Sequence, residues 1–166
     1  MAKSAKSRER HVKAGILKYS EAWREGSWAV AEGRVPSPYD QPNSKLKRSV
    51  YRLVRYCLKY DLLGLLKESV EFQLEGKSRV KPSLQNAANP FYWGLSAVCG
   101  ADNKLPRTNK SRFAQELQYA NMHDVPPEFL VGFIYQIGSS KDLQRKIDKK
   151  EMQSWFVKRH KSAAAE

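Results

Sequence analysis

Cysteine is almost absent from this chain of 166 residues, with Cys57 and Cys99 the only two. A pair of thiols cannot build a cysteine-rich zinc site, and both fall in apolar stretches, which predicts buried free thiols and a reducing, cytoplasmic setting. Histidine is nearly as scarce: His11, His123 and His160 stand too far apart for any pair to have metal-ligand spacing. No uninterrupted apolar run approaches the roughly 20 residues needed to cross a bilayer, and the basic N-terminus leads into charged sequence instead of an apolar signal core. No membrane partner is expected, because the basic arm lacks an apolar anchor and a lipidation signal. The nine glycines are isolated, so no glycine-rich loop cradles a phosphate and no G-x-S-x-G elbow presents a nucleophile.

Carboxylate chemistry is equally poorly provided for. A metal-dependent nuclease needs convergent acids with His or Lys nearby. Glu68, Glu71 and Glu75 gather on one helix face, but no further acid or histidine accompanies them. That face reads as solvated surface, as a partner for basic residues of this chain, or as a contact with another subunit. His123 and Asp124 are the one close His and carboxylate pair, and a turn with Asp capping the next helix accounts for them. No residue is assigned as catalytic and no cofactor or metal is expected, so the chain is read as non-enzymatic.

Charge, by contrast, is plentiful and one-sided. Thirty Lys and Arg face seventeen Asp and Glu, for a net charge of +13. The excess concentrates where Lys45, Arg48, Arg52, Arg55 and Lys59 recur at three- and four-residue spacing, in step with Leu46, Val50, Leu53, Val54 and Cys57. At about 100° per residue the basic positions span an arc of roughly 80°, nearly opposite the apolar arc. The pattern predicts a helix with one packing face and one cationic rail, bordered by Tyr51 and Tyr56, whose rings would meet a base or ribose while the cations meet phosphates. An ordinary solvated face mixes signs, since like charges one turn apart repel. Residues 45–60 hold no acid at all. A second basic group, Lys104, Arg107, Lys110 and Arg112, falls in the polar stretch 101–112, and a short cluster sits at Lys77, Arg79 and Lys81.

Elsewhere helical periodicity dominates and no convincing strand or repeat is found. Val12, Ile16, Tyr19 and Trp23 line one face of a first helix, interrupted at Gly26, and three prolines in residues 33–44 mark a loop with Ser44 as the expected cap of the rail helix. The next stripe, Leu63, Leu66, Val70 and Leu74, is out of phase with the rail helix by well over 120°, which requires a break near residues 61–64. Asn89 and Pro90 open a segment, Phe91 to Cys99, that is apolar nearly all round and closed by Gly100, so the triplet Phe91, Tyr92, Trp93 reads as core. Asn109 or Ser111 is expected to cap a helix carrying Phe113, Leu117 and Ala120. Pro126 and Pro127 open another, with Phe129, Leu130, Phe133, Ile134 and Ile137 on its apolar side. This helix pair has too few outward polar groups for a DNA-reading helix-turn-helix. Ser139 or Ser140 is expected to cap a last helix through Leu143 and Ile147, with Trp155, Phe156 and Val157 as a late apolar anchor.

These features predict an all-α, compact single-domain bundle of about six to seven short helices with basic flexible termini: a disordered basic arm over 1–9, a helical domain over 10–160 and a frayed tail over 161–166. The expected function is a nucleic-acid-binding accessory subunit of a larger ribonucleoprotein or DNA-processing complex, gripping the phosphate backbone of RNA or DNA, single-stranded or duplex, and meeting other protein subunits. The alternative is a small regulator or inhibitor of phage or plasmid type that docks its basic face onto an acidic protein surface.

Overall fold

The computed structural model describes residues 4–75, 82–100, 105–137 and 140–155. Among these all regular secondary structure is helical, with α1 Ala5–Glu25, α2 Pro42–Tyr60, α3 Leu63–Gln73, α4 Leu84–Ala88, α5 Pro90–Cys99, α6 Arg107–Met122, α7 Leu130–Ile137 and α8 Leu143–Asp148. Tight 3-10 turns at Pro127–Phe129 and Ser140–Asp142 lead into α7 and α8. None of the described helices is long and apolar enough to cross a membrane.

Local chemistry explains most boundaries. Gly26 ends α1 in the left-handed region at φ 69°, where a glycine meets no Cβ penalty, and its N–H returns to the carbonyls of Ala22 and Trp23. The expected break after the rail helix falls at Asp61, which adopts φ 55° and lets the Leu62 N–H close back onto the Cys57 carbonyl at 2.9 Å. The Asn89 side chain accepts the Phe91 N–H at 2.9 Å, and Pro90 occupies the first position of α5, where its missing N–H costs no hydrogen bond.

Three starts differ from expectation. Helix α1 begins at Ala5, with the Ser4 hydroxyl accepting the Ser7 N–H, so residues 5–9 belong to the first helix and not to a disordered arm. Helix α2 begins with Pro42 after Gln41, which places Ser44 inside the first turn instead of at the cap. Helix α6 follows Pro106, and Ser111 is already helical, its hydroxyl accepting from the Asn86 side chain at 2.9 Å. At α2 proline's fixed φ, at the first helical position, starts the helix earlier than the nearest hydroxyl would.

Helix α5 is the hub, packing against α1, α2, α3 and α6. Its Phe91, Leu95, Ala97 and Val98 are completely buried and Tyr92 is nearly so, while Trp93 packs partly buried against them and donates from its indole to the Ala87 carbonyl at 3.0 Å, so of the aromatic triplet Phe91 and Tyr92 belong to the core. Helices α1 and α2 run antiparallel: Arg8 lies over Tyr60, His11 against Tyr56 and Gly15 against Leu53, one index rising as the other falls. The α6 to α7 corner closes over the opposite flank of α2, with Tyr51 donating its hydroxyl to the Val125 carbonyl at 2.8 Å.

Candidate nucleic-acid interface

Helix α2 buries Leu46, Val50, Leu53, Val54 and Cys57 as its periodicity requires, and it also buries Tyr51. Tyr51 is completely enclosed, stacked on Phe91 with ring centroids 5.7 Å apart. Burial pushes its hydroxyl up to about 12, with the adjacent Arg55 cation pulling the other way. Its expected role against a base is corrected to one in the core. Around the helix Tyr51 sits roughly 40° beyond Arg55, on the flank that the Asp124–Val125 corner covers.

That corner also claims Arg55. Its guanidinium donates to the Val125 carbonyl at 2.8 Å and pairs with the Asp124 carboxylate, while Asp124 holds φ 49°. Arg55 therefore staples α2 to the end of α6 and is withdrawn from the rail. Asp124, expected to cap the following helix, serves as this counter-ion instead. Arg48 is partly engaged as well: Tyr39 stacks over its guanidinium at 3.5 Å, the Tyr39 carbonyl accepts from it at 2.9 Å, and its Nε is covered without a partner. Arg52 and Lys59 are exposed and Lys45 is half-buried.

The opposite border of the rail is aromatic. Tyr56 meets His11 at 4.6 Å and Tyr60 at 4.7 Å, the Arg8 guanidinium lies 4.4 Å over the Tyr60 ring, and the Lys59 ammonium lies 5.4 Å from the same ring. The seam between α1 and α2 thus carries Arg8 up beside Lys59, and helical geometry puts Lys18 on the same flank of α1. The sequence reading missed Arg8 and Lys18 because the pairing of two helices distant in sequence has no local signature; only the shared density of cations in both segments hinted at it.

The second basic group does not assemble. Lys104 lies outside the described residues, as do Lys77, Arg79 and Lys81. Arg107 is exposed, whereas Lys110 is partly buried with its ammonium 5.8 Å from the Tyr92 ring. Burial pulls Lys110 below the usual lysine range, the neighbouring Cys99 opposing this and the Arg107 charge adding to it. Arg112 projects roughly 140° or more away from both, toward Glu116 at 3.9 Å, itself paired with Lys47 at 2.5 Å. One helix cannot offer these three to a single partner face.

His123 donates from Nδ1 to the Tyr119 carbonyl (2.8 Å) and accepts the Gln153 N–H at Nε2 (3.1 Å), so both ring nitrogens are engaged. Cys57 and Cys99 are buried free thiols, pushed up by burial to about 11 and about 12. Glu68, Glu71 and Glu75 are exposed. Among the described residues no group of three His, Cys, Asp or Glu could hold a metal ion. Compared with protein-family models, with curated proteins and with solved structures, the chain matches none.

Proposed function

We propose that this protein is a non-enzymatic nucleic-acid-binding accessory subunit that grips the phosphate backbone without reading sequence, working within a larger ribonucleoprotein or DNA-processing assembly. One observation carries the reading: Lys45, Arg48, Arg52 and Lys59 stand on one face of α2, which holds no acid, and Arg8 of α1 joins them across an aromatic seam. From Lys45 to Lys59 the rail is about 21 Å long, close to the axial length of six base pairs. Cations spaced along a ridge, with partly covered rings beside them, suit phosphate neutralisation better than base-edge readout.

The test is binding to single- and double-stranded DNA and RNA across a salt series. With about four phosphate contacts, the plot of log affinity against log salt is expected to fall with a slope of about −3 to −4. Arg52→Glu with Lys59→Glu is expected to weaken binding at least a hundredfold while the thermal midpoint stays put, because both side chains are exposed. Arg55 is unsuitable for this purpose, since its substitution breaks the Asp124 and Val125 clasp. A flat salt response overturns the proposal.

A further inference from the structure

Away from the rail, a cleft of about 410 Å³ opens where the first turn of α2 meets α6 and α7. Its size falls within the usual range for small-molecule sites. Its lining combines two chemistries. One wall is apolar and aromatic, with Ile134 beside Tyr135, a ring 60% exposed in the cleft mouth. The other is polar, formed by Asn43 and Ser44 of α2 together with Lys47 and Arg112.

The charges there do not cancel. Lys47 and Arg112 share a single carboxylate, Glu116, which leaves one positive charge in excess. The close partner is Lys47, at 2.5 Å and nearly enclosed, its ammonium also lying 4.0 Å over the Phe113 ring. Arg112 is held only at 3.9 Å and is half exposed, so its planar fork keeps donors for an incoming anion.

We propose that this cleft binds a nucleoside monophosphate unit, the phosphate on Arg112 and the base against Tyr135 and the Ile134 wall, with Asn43 and Ser44 meeting the polar edge of base or ribose. A surface suited to a flat ring and a guanidinium suited to an anion are brought together at one opening, and a nucleoside monophosphate carries both groups on one small molecule. The site does not depend on the rail, because Lys47 lies roughly 120° around α2 from the rail's centre. The same chemistry comes either from a free nucleotide or from the phosphorylated end of a strand.

Calorimetric titration with adenosine 5′-monophosphate, adenosine and inorganic phosphate tests this, using the full chain. The nucleotide is expected to bind saturably at one site, at least tenfold more tightly than either half alone. Tyr135→Ala and Arg112→Gln are each expected to weaken it at least fivefold, with circular dichroism confirming that both exposed-site variants keep the native melting profile. Competition by a 5′-phosphorylated hexanucleotide but not by its dephosphorylated form would assign the site to strand ends; displacement by neither would assign it to free nucleotides. Equal binding of phosphate alone, equal binding of adenosine alone, no saturable binding, or a Tyr135→Ala variant indistinguishable from the parent would each overturn the proposal.

Discussion

At Gly94 the backbones of α5 and α2 come so close that a Cβ would stand 2.4 Å from one methyl of Val54 and 3.0 Å from one of Val50. Both neighbours are β-branched and completely buried, so neither can swing aside at low cost. Alanine ordinarily favours a helix over glycine by about 1 kcal/mol, but overpacking of this kind costs about 1–3 kcal/mol. Gly94→Ala is expected to lower stability by up to about 2 kcal/mol in urea unfolding, whereas Gly64→Ala, with no atom within 4 Å of its Cβ, is expected to leave it unchanged or raise it slightly. Equal midpoints for the two variants would show that α5 is free to shift away from α2. The same residue scale decides the fate of Tyr51 and Tyr56. Two tyrosines that look equivalent beside the rail differ because a backbone carbonyl 74 positions away, that of Val125, accepts one hydroxyl and draws that ring inside.

Among the elements, the end of α6 organises the C-terminal part of the chain. The His123 ring packs on Tyr119 and Phe133 while its Nε2 accepts the Gln153 N–H, and the Tyr119 hydroxyl donates to the Glu151 carbonyl at 3.1 Å. Trp155 then meets Phe133 edge-on at 5.7 Å. Replacing His123 with alanine removes both a partnered acceptor and a buried ring, so a loss of about 2–3 kcal/mol is expected. Hydrogen exchange at the Gln153 amide should accelerate in step; unchanged protection there would mean that Trp155 alone holds the segment. Helix positions were largely legible in the sequence, because apolar periodicity and the caps at Gly26, Asp61, Asn89 and Pro90 are local properties. The site was only half legible. A helical wheel shows which side of α2 is basic, but the pairing of Arg55 with Asp124 and the arrival of Arg8 beside Tyr60 depend on elements tens of residues apart, and no local pattern encodes them.

For the whole molecule, buried protons set an alkaline limit. Tyr51 rises from 10.0 to about 12, Cys57 from 9.0 to about 11 and Cys99 from 9.0 to about 12, each mainly through burial. The folded chain holds these three protons more tightly than the unfolded one, so the stability they contribute is complete below about pH 9 and drains away as pH climbs toward 12. Lys110 runs the other way: its lowered value makes the charged form unfavourable in the fold, and that cost fades as pH rises toward the ordinary lysine value. Tyr119 is raised too, by burial and by the Glu151 charge, and four groups against one leave a net loss, so the urea midpoint is expected to hold steady from about pH 7 to 8.5 and fall above about pH 9.5; a midpoint that rises over that interval would contradict this balance. At the same scale, the Tyr39 ring over Arg48 makes the two ends of the rail unequal. On the proposed reading, a strand finds the exposed ammonium of Lys59 at one end and, toward the other, a guanidinium already roofed by the chain's own aromatic. Engagement then acquires a direction, starting at the carboxyl end of α2, with its last step an exchange of one flat ring for another.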